Sequence, residues 1–243
     1  LSEDTIIVKT KAIAKFKGNK VENFIGKVET KNLFLSVNGE NYETGFTTFE
    51  GKLSKKGKTW TLNADFANAE IETSIPLLKI SDALIARGVD LIPKDIAFED
   101  NIAPFYLKGF VKINDPLILN SVLPDEILLA QNTKLDVYIE DSLGNLSLNL
   151  KTPFFKYGEI YLDNPNLKLN KLGDSLTANG NLKQLTAQGF KLDNYQFKIS
   201  NDSNSLYLNH YGQINDTLVD FELNHAIKYS SSLQTSITVD SST

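Results

Sequence analysis

Over most of the chain, apolar residues fall on every second position. In residues 6–17, Ile6, Val8, Ala12, Ala14 and Phe16 share one parity, while Lys9, Lys11, Lys15 and Lys17 share the other. That is the pattern of a strand with one face turned to an apolar environment and one to water. The alternation returns in Leu33, Leu35 and Val37, in Trp60, Leu62, Ala64 and Phe66, and in Leu135, Val137 and Ile139 set against Asp136, Tyr138 and Glu140. It continues through Leu146, Leu148 and Leu150; Leu167 and Leu169; Leu176, Ala178 and Leu182; Tyr195, Phe197 and Ile199; Leu206 and Leu208; and Val219, Phe221 and Leu223. The pattern predicts an all-β chain of mainly antiparallel or mixed amphipathic strands.

The connections carry a small recurring unit. Asp-Ser/Thr-Leu stands at Asp141-Ser142-Leu143, Asp174-Ser175-Leu176 and Asp216-Thr217-Leu218, with Asp4-Thr5-Ile6 as a looser copy. Asp, Asn, Ser and Gly suit turns because their side chains bond local amides or because they tolerate positive φ. The spacing is too uneven for a strict solenoid code, so we expect degenerate strand-turn-strand units added one after another. Two stretches break the period. In residues 76–89, Leu77, Ile80 and Leu84 follow helical spacing, Pro76 suits a first turn and Gly88 a C-terminal stop, which predicts a helix of two to three turns. In residues 123–130, Pro124 followed by Asp125 and Glu126 predicts one or two further helical turns. The whole of 1–243 reads as one continuous β-rich segment, with 114–126 as the best place for a boundary.

Composition narrows the chemistry. Cysteine is absent, which excludes disulfides, thiolate metal sites and a cysteine nucleophile. Residues 1–60 carry 11 Lys against 7 acids, whereas the remainder carries 14 basic residues against 23 acidic ones. Arginine occurs once, at Arg87, so the planar fork that reads phosphate and guanine is nearly missing and no nucleic-acid partner is expected. No stretch reaches the roughly 18 apolar residues of a membrane-spanning helix. His210 and His225, the two histidines, lie in different expected strands without metal-site spacing. Adjacent acids such as Glu99-Asp100, Asp125-Glu126 and Glu140-Asp141 point to opposite faces of a strand and cannot share a substrate. No nucleophile elbow, P-loop or dinucleotide fingerprint is present. We therefore expect no enzyme, no metal and no cofactor.

The succession "LPDEILLAQNTKLDVYIEDSLGNLSLNLKTPFFKYGEIYLDNPNLKLNKLGDSLTANGNLKQL" (123–185), with its "P-x-x-x-Y-x-x-x-x-L-x-N-x-x-L" spacing and "G-D-S-L", resembles the TamB branch of the AsmA-like envelope proteins of Gram-negative bacteria. The later "NDTLVDFELNH" (215–225) has the same character. The resemblance covers about residues 60–230 and rests on degenerate β-repeat patterns. It implies an internal stretch of a protein anchored in the inner membrane, crossing the periplasm as an elongated, curled β-sheet with an apolar groove. It also implies phospholipid as the bound partner, transport towards the outer membrane, and an outer-membrane barrel partner of the Omp85 type contacted through the full-length protein.

On that reading the groove-lining residues are Leu135, Val137, Ile139, Leu146, Leu148, Leu150, Leu167, Leu169, Leu192, Phe197, Ile199, Leu206 and Leu208. The alternative is a β-sandwich, in which the same apolar parity packs on a second sheet and makes a structural or interaction module of an envelope or surface protein. A soluble enzyme or sugar-binding domain is the third reading. Finally, Asp-Ser/Thr-aliphatic resembles an O-glycosylation acceptor of some Gram-negative extracytoplasmic proteins, which makes Ser142, Ser175 and Thr217 candidate acceptors; plain turn chemistry is the competing explanation.

Overall fold

The described stretches of alternating residues become strands, and every pairing between them is antiparallel. The computed structural model describes residues 6–20, 23–37, 39–89, 103–124, 126–202, 205–214, 220–229 and 233–240. The first seven strands are β1 (Ile6–Lys17), β2 (Ile25–Val37), β3 (Glu40–Thr44), β4 (Thr47–Ser54), β5 (Gly57–Ala64), β6 (Ala67–Thr73) and β7 (Tyr106–Ile113). Then come β8 (Ile127–Leu129), β9 (Lys134–Glu140), β10 (Asn145–Lys151), β11 (Phe154–Tyr157), β12 (Ile160–Asp163) and β13 (Asn166–Leu172). The series ends with β14 (Ser175–Ala187), β15 (Phe190–Asn201), β16 (Ser205–Ile214), β17 (Asp220–Tyr229) and β18 (Leu233–Asp240). Together they form one 18-stranded sheet. It is open: among the described residues β1 pairs only with β2, and β18 only with β17. β7 pairs directly with β9, so the ladder runs unbroken past residues 114–126.

A line of bends divides the longest strands. β8 and β9, β10 and β11, and β12 and β13 are each one strand interrupted at Ala130–Thr133, Thr152-Pro153 and Asn164-Pro165. Proline removes a ladder donor and therefore settles at such bulges. The breaks are stitched together by side chains and freed amides. Thr133 and Thr152 share a hydroxyl–hydroxyl hydrogen bond of 2.6 Å, the Thr152 amide donates to Pro165 O, and the Asn164 amide donates to Pro153 O. Asn164 (φ 51°) and Asn194 (φ 50°) take the left-handed conformation along this line, and the β15–β16 register slips between Asp193 and Gln196. A matching slip lies between β1 and β2, where Asn32 has φ 54°.

Two helices attach to the sheet. A single 3-10 turn at Leu77–Lys79 leads into α1 (Ile80–Val89), which runs through Gly88 instead of stopping there. Ala83 of α1 packs on Phe105, Leu107 and Ile139, with Ile71, Ile75, Ile80, Val137 and Leu146 around them. The second helix lies upstream of its expected place. α2 is Leu117–Val122, while 127–129 of the expected helical stretch is strand β8. Pro116 is its N-cap, Asp115 accepts from the Leu117 amide at its start, and Pro124 disfavours helical geometry at Leu123. Phe66, grouped by parity with Trp60, Leu62 and Ala64, instead falls in the bend between β5 and β6.

Candidate functional site

The register places the apolar parities of successive strands side by side. Directly opposite residues form one row from Phe16 in β1 through Gly26, Gly51, Trp60, Ile71, Gly109, Val137, Leu148, Leu169, Ala178, Ile199 and Leu208 to His225 in β17. A parallel row runs from Ala14 through Val28, Phe49, Leu62, Ala69, Val111, Leu135, Leu150, Leu167, Gly180, Phe197 and His210 to Leu223. Between them on the opposite face runs Lys15, Lys27, Glu50, Thr61, Glu70, Phe110, Asp136, Asn149, Lys168, Asn179, Lys198, Asn209 and Asn224, polar at every position but Phe110. From β1 to β17 the sheet therefore has one mainly apolar and one mainly polar face, with Lys58 and Lys171 charged near the edge of the apolar one. Past the bends a further apolar row links Leu129, Phe155, Leu162, Leu185, Leu192 and Ile214.

The expected groove residues all lie on these apolar rows or flank them. Leu135, Leu148, Leu150, Leu167, Leu169, Phe197, Ile199 and Leu208 stand in the two main rows and are half-buried. Leu206 stands at the start of its strand opposite Ile227, and Leu192 lies beyond the bulge in the further row. Ile139, at 1% exposure, is covered by α1, with Val137 and Leu146 partly packed against the same cluster. Among the turn residues, Ser142 and Ser175 are exposed, whereas Thr217 lies outside the described residues.

Parity did not reveal the aromatic end of the same face. Phe24, Phe49 and Trp60 stack with centroids 5.6–6.1 Å apart, and Phe16 lies 5.2 Å from Phe24. Phe16, Phe24 and Phe49, with Gly18, Asn19 and Lys20, line an open pocket of about 540 Å³. The two histidines also converge. His210 and His225 sit in adjacent strands on the apolar face with ring centroids 5.3 Å apart, and Tyr195 Oη bonds His210 Nδ1 at 2.6 Å. Burial lowers the His210 pKa below its ordinary value, and His225 adds to this. The signal for this pairing was register, which spacing along one chain does not display.

On the polar face, Thr59, Glu70, Glu72, Lys108, Phe110, Asp136, Tyr138 and Ser147 line a shallow cleft. At its end Lys56 reaches Glu140 at 2.8 Å across the Tyr106 ring. Hydrogen bonds from Lys56 and then Tyr138 hold the Glu140 carboxyl below its ordinary pKa. Among the described residues no group of three or more His, Cys, Asp or Glu side chains could hold a metal ion. No described helix is long and apolar enough to cross a membrane. The chain matches no family model, no curated protein and no solved structure.

Proposed function

We propose that this chain is an internal segment of a periplasm-spanning lipid conduit, and that its apolar face shelters phospholipid acyl chains on the way from the inner to the outer membrane. The observation that carries the reading is the pair of mainly apolar rows that run in register from β1 to β17. Leu, Ile, Val and Phe in register offer a track along which a chain can slide, and each CH₂ moved from water onto it gains about 0.8 kcal/mol. A head group stays at the water-facing rim. Transport of this kind needs no catalytic residue.

Partial exposure supports an open, curled furrow over a β-sandwich. The inward residues of two packed sheets form a dry core, yet Leu135, Leu148, Leu150, Leu167 and Leu169 are only half-buried. The resemblance to the AsmA-like envelope proteins supplies the periplasmic setting, the inner-membrane anchor and an outer-membrane barrel partner, all belonging to the full-length protein. Native mass spectrometry of the purified protein tests the reading. Co-purified phospholipid is the expected result, and protein recovered from an envelope extract with no lipid adduct would contradict it.

A further inference from the structure

Two imidazoles and a phenol interrupt an otherwise hydrocarbon face, all within three neighbouring strands. His210 lies opposite Phe197 and Leu223, and His225 lies opposite Leu208. Tyr195 projects beside them, its ring 6.2 Å from Phe197 and 6.0 Å from His210. His225 Nε2 is buried without a hydrogen-bond partner among the described residues. A buried polar atom left unpaired is destabilising, and natural folds keep one where a ligand or water completes it. The His210 ring makes its hydrogen bond to Tyr195 through Nδ1, which leaves Nε2 free to face a ligand.

We propose that Tyr195, His210 and His225 form an acid-capture station: they hold the carboxylate or phosphate head of an acidic lipid whose acyl chain lies along the neighbouring apolar rows. The proposal rests on the lipid-sheltering reading and names the head-group class that the same face selects. Chemistry favours an acid over a neutral or cationic head. As the anion enters, an imidazole takes up a proton from water and the resulting imidazolium pairs with the anion, so no net charge enters the apolar face. Among the described residues no carboxylate shares this face with the pair. On β14 the same face carries Leu176, Ala178, Gly180 and Leu182; on β15, Leu192, Tyr195, Phe197 and Ile199; on β16, Leu206, Leu208, Gly212 and Ile214; and on β17, Phe221, Leu223 and Ile227. Asp193 and Glu222 stand on the polar face, opposite Gln213 and Tyr211. The depressed pKa of His210 agrees with an empty site that is neutral and becomes protonated on loading.

Equilibrium dialysis of the whole protein against dodecanoate, dodecanol, acetate and inorganic phosphate tests this, with the double variant His210→Phe/His225→Phe alongside. Wild type should prefer dodecanoate to dodecanol by about tenfold, and the preference should grow as pH falls from about 8 to about 6. The double variant should bind both twelve-carbon ligands equally, with an unchanged far-UV circular dichroism spectrum showing that the sheet is intact. Tyr195→Phe should lose part of the preference and keep its pH dependence. Equal dodecanoate affinity in wild type and double variant overturns the station while leaving the lipid face in place. Binding of acetate or phosphate as tight as that of dodecanoate overturns it in favour of a free-anion site. Failure of wild type to bind either twelve-carbon ligand removes the lipid-sheltering reading itself, and the station with it.

Discussion

Gly180 shows how closely side chains are fitted to the apolar face. A Cβ there would lie 2.4 Å from Phe197 Cε1 and 2.6 Å from Leu167 Cδ2, because the Phe197 ring covers the glycine of its cross-strand partner. Gly180→Val should therefore cost about 1–3 kcal/mol in urea unfolding, since the ring must leave its place; an unchanged midpoint would show that the ring does not lie there. His210 gives a prediction in pH. Its imidazole is held below the ordinary value, chiefly by burial, so the folded chain binds its proton less readily than the unfolded chain. Its contribution to folding is therefore intact above the unfolded value, about pH 6.5, and is lost as pH falls from there toward the folded value. Thermal melts of lipid-free protein should lose stability between about pH 7 and about pH 5, and His210→Phe should flatten that limb. An identical limb in the variant would assign the loss to other groups.

At the level of elements, strand parity was legible because half-buried strands write their faces into the chain as a period of two. The bends were not. Asn32, Thr152-Pro153, Asn164-Pro165 and Asn194 look like ordinary residues within or between strands, and become bulges only through the register of the partner strand. The second helix was misplaced for a related reason. Asp125-Glu126 suits a helix start, but Asn120 of α2 both donates to Leu129 O and accepts from Leu129 N, occupying the edge of β8 as a strand would. α1 was legible from spacing, whereas its seat on Leu107 and Ile139 was not. Ala83, 1% exposed, fixes that seat. Ala83→Asp would bury a carboxylate against Phe105, Leu107 and Ile139 at a cost of several kcal/mol, or release the helix. Hydrogen exchange should then show lost protection in α1 with β13–β16 unaffected; retained protection in α1 would contradict the packing.

Across the molecule, two faces of mainly opposite character run from β1 to β17, and the parity of single strands already named most of the apolar one. What parity could not supply is contiguity: that Leu148 meets Leu169, that the row continues to His225, and that α1 shields Ile139. The proposed open furrow predicts that Leu148→Asp keeps a cooperative melt, because the carboxylate retains access to water, while lipid binding is lost. In a closed sandwich the same group would cost several kcal/mol and unfold a domain of ordinary stability. Lys198→Gln, exposed on the polar face opposite Asn179 and Asn209, should leave both melt and binding unchanged. The most direct measurement of the central claim is site-specific photo-crosslinking to phospholipid vesicles, with a benzophenone amino acid placed in turn at Leu148, Leu169 and Phe197 and at Asn149, Lys168 and Lys198. Lipid adducts are expected at the first three positions and none at the second three; adducts at neither set, or equally at both, would contradict a lipid-sheltering apolar face.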